Sequence, residues 1–401
     1  MIRKNKKVMW HKNDIRSRYD VVIIGAGVHG LAIAYYLAKR GITNVAVLDK
    51  GYIGGGNSGR NTAILRANYR TVEGVNFYKE SLKLYEDLTQ ELNFNLLFAP
   101  IGHLTLAHTD TSLSGLRLRA EVNKQLGLES YLVDREELKD LEPKLDLSDK
   151  PRYPIMGALY HPPGGIIRHD AVVWGYAKEA DKMGVEIHPK TEVKNINLQR
   201  DGSYEIITNK KNIRCNTVVN ATAGWCSDVA KMVDLKIPVV TQQLQACVTE
   251  SMNKYLSKVI VSANLHVYVS QTDRGEFVLG ATIDPYSSYS YRSTFPTLHA
   301  MVSHTIELFP EIAKAKILRQ WAGICDMTPD YAPIMGKVPG HDGFILDVGW
   351  GTWGFKSGPI SGKLIAELIS TGKTPELIKP FSIKRFEENR PIGEKAAAAV
   401  S

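Results

Sequence analysis

The first strongly patterned stretch of the chain is a continuous apolar run, DVVII at 20–24, which suits a strand buried on both faces. Glycines interrupt it at 25, 27 and 30, a helical stretch follows near 28–40, and NVAVLD at 44–49 reads as a second strand, completing a βαβ unit. Residues 21–38 are almost wholly apolar and long enough to span a bilayer. Their three glycines and one histidine mark a turn instead, and the run is read as part of a soluble domain with no membrane contact. Residues 73–95 and 113–126 carry the 3.6-residue period of amphipathic helices. The chain turns Pro- and Gly-rich around 145–165, as at a crossing between domains. Asp170 is a fitting N-cap for a helix over AVVWGYAKEADKMG. Segments within 184–219 read as strands, and HVYVSQTDRGEFVLGA at 266–281 alternates around a turn as a β-hairpin. A strand (FILDVGW), a glycine-rich loop (351–362) and a helix (KLIAELIS) close the pattern.

This order predicts an α/β fold: a Rossmann-like dinucleotide-binding domain, assembled from separated segments, with an inserted α+β substrate domain built on an antiparallel sheet. The expected division is a basic extension at 1–18, the dinucleotide domain at 19–85, 155–232 and 331–401, and the substrate domain at 86–154 and 233–330. The formal charge of +8 changes little in this picture. Residues 1–18 hold seven Lys/Arg against one acid, so the body is close to neutral and a nucleic-acid-binding face is not expected. The tail has no apolar core of a secretory signal. It reads either as a flexible extension or as an arm that docks on a partner subunit. Four widely separated cysteines contain no C-x-x-C pair, which argues against a zinc site or a disulfide framework; no metal is expected, and the setting is a reducing cytoplasm.

Gly25, Gly27 and Gly30 form G-x-G-x-x-G between a predicted strand and a predicted helix. The first permits the tight turn, the second lets backbone approach a pyrophosphate, and the third allows close helix–strand packing. Asp49 follows 24 positions after Gly25, where an acid can hydrogen-bond the adenosine ribose. The motif alone does not separate FAD from NAD. Three features favour FAD: the flexible glycines of GYIGGGNSGRNTAILR (51–66), the strand TVVNATAG (217–224) ending in small residues, and a glycine-rich segment at 351–362 that meets a helix N-terminus. Val28, His29, Asn57, Thr62, Val193, Gly351, Gly354 and Lys356 are expected beside them in the FAD site, with His29 flanking the pyrophosphate.

On GGGNSGRNTAILRANY (54–69), RHDAVVWGYA (168–177), HVYVSQTDRGEFVLG (266–280) and GWGTWGFKSGP (349–359), the sequence from about residue 19 onward resembles the amine-oxidising branch of the D-amino-acid-oxidase-like FAD family. Within that branch it is similar to the β subunits of heterotetrameric sarcosine oxidases. The resemblance implies that the Rossmann-like domain is an FAD-binding domain of the glutathione-reductase type, that Arg66 and Lys356 hold the substrate carboxylate, and that His169 carries a covalent FMN where a large α subunit docks. It also implies α, γ and δ partner subunits and a folate, tetrahydrofolate, that takes up the one-carbon product. The implied reaction is oxidation of sarcosine by hydride transfer to non-covalent FAD, with electrons passing through FMN to oxygen to give glycine, a formaldehyde-level one-carbon unit and hydrogen peroxide. A dehydrogenase acting on proline or another secondary amino acid, and a non-catalytic flavin-bearing subunit, are the alternatives. Chemistry supports the two cations, since a small amino acid offers its carboxylate as a handle, to a bidentate Arg and a point-charge Lys. Tyr69, Tyr268, Trp350 and Trp353 are candidate pocket walls. Trp353 departs from the small residue the family places there, and a narrower pocket or a shifted substrate preference is the expected consequence. His161 and His266 are read as structural.

Overall fold

The computed structural model describes residues 8–394, apart from the side chains of residues 281 and 282. Two eight-stranded sheets organise it. In the first, strand Arg18–Ile24 lies between Val45–Leu48 and Ile213–Asn220, with Glu186–His188 beyond the former and His341–Val348 beyond the latter, all parallel. Ile334–Val338 adds an antiparallel edge, and Val193–Leu198 with Tyr204–Thr208 branches off antiparallel to Ile213–Asn220. Val45–Leu48 is buried at every position, as a parallel strand covered on both faces must be.

One face of this sheet (Val21, Ile23, Val45, Val47) packs against helices Val28–Lys39, Val72–Glu91, His169–Lys182 and Gly354–Thr371. The other face (Val22, Ile24, Leu48, Val218) packs against the antiparallel branch and the short helix Cys226–Lys231. Helix Val28–Lys39 lies inside this layer and is buried from Val28 to Ala38, which is why 21–38 imitates a membrane span. Among the described residues no helix is long and apolar enough to cross a membrane.

The second sheet runs in the order Ile317–Met327, Val240–Ser251, Glu276–Ser287, Val267–Gln271, Val259–Ser262, His103–Ala107, Gly157–His161, Tyr131–Val133. All its pairings are antiparallel except that of Val259–Ser262 with His103–Ala107. The 266–281 hairpin forms as Val267–Gln271 against Glu276–Ser287. One face, through Leu104, Leu106, Ile260 and Val267, packs on helix Phe295–Leu308; the opposite face turns toward the first sheet.

The sequence pattern and the structure part company at several places. Strand Gly157–His161 belongs to the second sheet although the sequence pattern places 155–232 in the dinucleotide domain, and helix Val72–Glu91 runs through the expected boundary at 85/86. Both follow from sheet pairing and helix packing, which composition does not encode. Asp170 is not an N-cap: the cap position is Arg168, and Asp170 sits in the first turn, accepting from Arg168 Nε at 2.9 Å. The extension is not detached over its described part. Trp10 packs against the core, His11 N donates to Asp181 Oδ1 at 2.9 Å, and Arg16 pairs with Glu186 at 2.8 Å. Residues 1–7, with Arg3, Lys4, Lys6 and Lys7, lie outside the described residues.

The glycine-rich segment expected as a loop at 351–362 is helical from Gly354. Gly354, Gly358 and Gly362 recur every four residues because they form the contact face of a helix. A Cβ at Gly358 would stand 2.5 Å from Val28 Cγ2, and one at Gly362 2.5 Å from Ala32 Cβ. Glycines that read as loop formers thus bring two backbones together.

Candidate active site

A cavity of about 690 Å³ opens between the glycine turn, the C-terminal helix and the inner face of the second sheet. Its size is in the upper part of the roughly 300–1,000 Å³ range of ligand pockets. Gly25 takes φ +113°, donates its N–H to Leu48 O at 2.7 Å, and would put a Cβ 2.3 Å from Ala221 O. Gly27 caps helix Val28–Lys39 without a side chain, and Val28 N donates to Ser58 Oγ at 2.9 Å. Gly30 does not line the cavity. It lies against the turn itself, where a Cβ would come within 1.9 Å of Gly25 O. The result is a helix N-terminus and a glycine turn presented to the cavity, an arrangement that favours anionic groups.

Of the expected site residues, Gly25, Gly27, Val28, His29, Asp49, Asn57, Thr62, Arg66, Val193, Gly351, Gly354 and Lys356 all line this one cavity. Asp49 is braced by the turn: Oδ2 accepts from Ala26 N at 2.8 Å and Oδ1 from Gly51 N at 2.7 Å. Burial lifts its carboxyl above the ordinary range against those two donors. Each oxygen keeps a second lone pair for a further donor. Asn57 instead spends its amide on Ile324, donating to the carbonyl at 2.5 Å and accepting from the N–H at 2.8 Å, and so ties the glycine segment to the second sheet.

Four cations line the cavity without an ion pair to a carboxylate among the described residues: Lys50 and Arg60, which lie over the rings of Trp225 and Tyr291, and Arg66 and Lys356, which repel each other. Arg66 Nη1 donates to Asn68 O at 3.1 Å and Asn68 Oδ1 at 3.2 Å, and its guanidinium lies 4.4 Å from the Tyr69 ring centre. Lys356 is in the first turn of helix Gly354–Thr371 and is 9% exposed. Burial and then Arg66 hold its ammonium well below the usual lysine range. A further cation stands behind Arg66 and Lys356: Arg119, from helix Asp110–Gln125, donates to the same Asn68 carbonyl as Arg66. Burial, then Arg66, push it down to about 9. A concentration of positive charge this poorly neutralised is stable when an anion completes it.

The pocket walls differ in part from expectation. Tyr268 and Trp350 line the cavity; Tyr69 and Trp353 do not. Trp353 packs edge-on against Tyr69 with centroids 5.0 Å apart and against Tyr78 at 6.3 Å, so its bulk is absorbed behind the wall and does not narrow it. His169 is outside the cavity, at the start of helix His169–Lys182, with its ring edge-to-face at 6.5 Å on Phe355. His161 accepts from Ala67 N at 3.2 Å through Nε2 and bonds Glu129 O at 2.7 Å through Nδ1, holding the strand next to Arg66.

Residues 20–368 match the family model described as FAD dependent oxidoreductase. The chain belongs to this FAD-dependent oxidoreductase family. It is 40% identical over 393 residues to the sarcosine oxidase subunit beta of Rhodobacter capsulatus, covering 98% of this chain and 94% of that one. It is 40% identical over 402 residues to the subunit of the same name from an Arthrobacter species, covering 100% and 99%. Among solved structures it resembles L-proline dehydrogenase from P. horikoshii, with TM-score 0.88, 27% identity, and 94% and 99% coverage. The residues present fit the family's cofactor. The cradle at Gly25 and Gly27 excludes any Cβ-bearing residue at the first position, and it faces the same cavity as Asp49 at one end and Gly351 and Gly354 at the other.

In this oxidoreductase His29 does more than border the turn. Nδ1 lies 2.9 Å from Asp347 Oδ2 and Nε2 lies 2.6 Å from Gly354 O, so both ring nitrogens meet acceptors and both must carry hydrogen. Burial, the largest single influence, opposes that charge, but Asp347, the Gly354 carbonyl and Asp326 together outweigh it and the pKa rises above the ordinary value. A His raised in the folded state contributes its full stabilisation below the unfolded value near 6.5 and loses it as pH rises through the folded value. Thermal unfolding midpoints should therefore fall as pH rises above about 6.5. In His29→Gln that dependence should flatten, and an unchanged slope would remove the imidazolium from the explanation.

Several residues of the site were not legible as such. Pro359, inside the C-terminal helix, has no N–H for the Phe355 carbonyl one turn earlier. Tyr85 Oη supplies the missing donor at 2.7 Å, and Ser81 Oγ donates to Lys356 O at 2.7 Å. Helix Val72–Glu91 thereby holds the turn that presents Lys356. Tyr85→Phe should cost about 1–3 kcal/mol by leaving a buried carbonyl unpaired, measured by chemical denaturation, with flavin content little changed. Asp326, buried and lifted to about 6 by burial, accepts from Gly349 N at 2.6 Å and fixes the entry to the same segment. Nothing in local sequence marks Tyr85, Arg119 or Asp326, because each acts on a residue more than fifty positions or a whole sheet away.

Proposed function

We propose that this protein oxidises a small N-methyl amino acid such as sarcosine, gripping the substrate carboxylate between Arg66 and Lys356. The observation that carries this reading is the meeting of both cations, unpaired by any carboxylate of the described residues, in the cavity that also holds the glycine turn. Arg66 offers a fork and Lys356 a point charge, and the brace through Asn68 and Arg119 keeps the fork in place. FAD, when bound, accepts the hydride of the substrate's C–H bond, while the protein orients that bond and excludes water. Names of the relatives support the choice of substrate and the expectation of partner subunits.

A covalent FMN on His169 would relay the electrons to oxygen. His169 is partly exposed at a helix start, and its ring meets Phe355, whose neighbours Gly354 and Lys356 wall the cavity. A surface cofactor there would be one side chain from the site. The reading includes α, γ and δ partners, a tetrahydrofolate acceptor for the one-carbon unit, and a cytoplasmic setting. Glycine, a formaldehyde-level carbon and hydrogen peroxide would be the products. The likeness to L-proline dehydrogenase favours a second reading, a dehydrogenase of proline or another secondary amino acid with a different acceptor.

The test is acid precipitation of the purified native complex, followed by flavin analysis. FAD in the supernatant and FMN in the pellet, on the peptide containing His169, is the expected result. FAD alone, with partner subunits present, removes the His169 proposal. Anaerobic bleaching by sarcosine supports the substrate assignment; bleaching by proline alone, without oxygen consumption, selects the dehydrogenase. No bleaching by any amino acid would leave only a flavin-bearing subunit.

A further inference from the structure

Strand His103–Ala107 alternates, with Leu104 and Leu106 entering the core of the second sheet and His103 and Thr105 on the face toward the first. That face also carries Val261 and Tyr268, which line the cavity beside His103. His103 is 1% exposed, and neither ring nitrogen has a hydrogen-bond partner. A buried imidazole left in this state is costly unless something in the cavity completes it. The other side chains that the second sheet sends into the cavity are apolar, small or aromatic, apart from Asp326, whose carboxylate is tied to Gly349 N. His161, across the strand pair from His103, has both ring nitrogens engaged.

We propose that His103 is the residue that recognises the substrate's amino group, accepting its N–H hydrogen bond while Arg66 and Lys356 hold the carboxylate. The proposal rests on the amino-acid-oxidising reading and assigns the second anchor of that same site. Burial, then Arg66, hold the His103 pKa well below the ordinary value, so the ring is neutral with one accepting nitrogen. Arg66, Arg119 and Lys356 together disfavour a further cation nearby, so the amine that His103 meets is the neutral form. A neutral secondary amine has one N–H to donate, and pairing it with His103 leaves the nitrogen lone pair free, as oxidation of the adjacent C–H bond requires. The orientation is thus set by two points, carboxylate and nitrogen, and the C–H bond is placed between them.

The experiment uses the purified, flavin-loaded complex with two acceptor-free variants, His103→Leu and His103→Phe, and the conservative His103→Gln. Two ligands are compared: sarcosine, followed by anaerobic flavin reduction, and methoxyacetate, which has an ether oxygen in place of the N–H, followed by its perturbation of the flavin spectrum. For sarcosine the acceptor-free variants should lose about 10- to 100-fold in kred/Kd, the size expected of one buried hydrogen bond near charge. Methoxyacetate affinity should change less than about threefold, since its carboxylate contacts remain, and His103→Gln should recover part of the sarcosine loss. Equal weakening of both ligands would make His103 a packing residue and overturn the proposal, as would unchanged sarcosine kinetics. Loss of flavin from both acceptor-free variants would make the ring part of the cofactor cradle and overturn it too. If no N-alkyl amino acid reduces the wild-type complex, the parent reading falls and this one with it. Reduction of the wild type with no effect in the variants removes this inference alone.

Discussion

Lys356→Met should lower the rate constant for anaerobic flavin reduction by an N-methyl amino acid by about three orders of magnitude while the protein remains yellow. Two effects multiply. On the proposed grip of the substrate carboxylate, losing the charge-assisted hydrogen bond from Lys356 costs roughly 10- to 100-fold. Losing one of the fixed points that orient the C–H bond costs about another 100-fold, since small misplacements are that expensive. Methionine keeps the length and apolar stem of lysine, so it should pack in the 9%-exposed position without disturbing the helix. Removing a buried ammonium also relieves its repulsion with Arg66, so stability should hold or rise. Stopped-flow reduction and flavin content measured together test this. Kinetics within threefold of wild type would take Lys356 out of the site.

The second large effect is expected at Gly30, which touches no ligand-facing surface. A Cβ there would lie 1.9 Å from Gly25 O and 3.2 Å from Ile23 Cγ2, and the backbone oxygen has no room to retreat because Gly25 N is bonded to Leu48 O. Gly30→Ala must push the first helix off the strand that precedes it. That helix is also clamped on its far side by Gly358 and Gly362. The expected result is a colourless protein, with a stability loss of about 3 kcal/mol or more. Flavin absorbance and denaturant midpoints check it. Gly115→Ala is the control: no atom crowds that position in helix Asp110–Gln125. It should be neutral or stabilising by about 0.5–1 kcal/mol. A yellow, stable Gly30→Ala would refute the packing argument.

Much of the dinucleotide half was readable locally, because its chemistry is local. The turn that needs Gly25, the helix start at Gly27 and the acid ending the second strand follow one another within about thirty residues, and the structure puts them on one cavity wall. The βαβ unit followed from a continuous apolar run, as two-sided burial demands. The C-terminal segment misled in an instructive way. Gly354, Gly358 and Gly362 resemble a loop when read by propensity and a contact face when read at helical spacing. Only the neighbour, with Val28 and Ala32 at contact distance, decides between the two. Trp353 shows the same limit, since a large residue beside a site is an obstruction or a backing according to where its ring turns.

What the sequence by itself determined here are the features set by backbone conformation and strand or helix period, namely the glycine turn and the two-sheet α/β organisation; the candidate cations Arg66 and Lys356 come from the family resemblance. What only the tertiary structure decided is which groups remain unpaired. His29 became an imidazolium because residues 347 and 354 both present acceptors. Lys356 is poised because Tyr85 and Ser81 hold its turn, and His103 faces the cavity without a partner because the second sheet crosses there. The physical reason is that charge state and hydrogen-bond satisfaction depend on neighbours within a few ångströms, and these neighbours are brought together from as far as 325 residues apart.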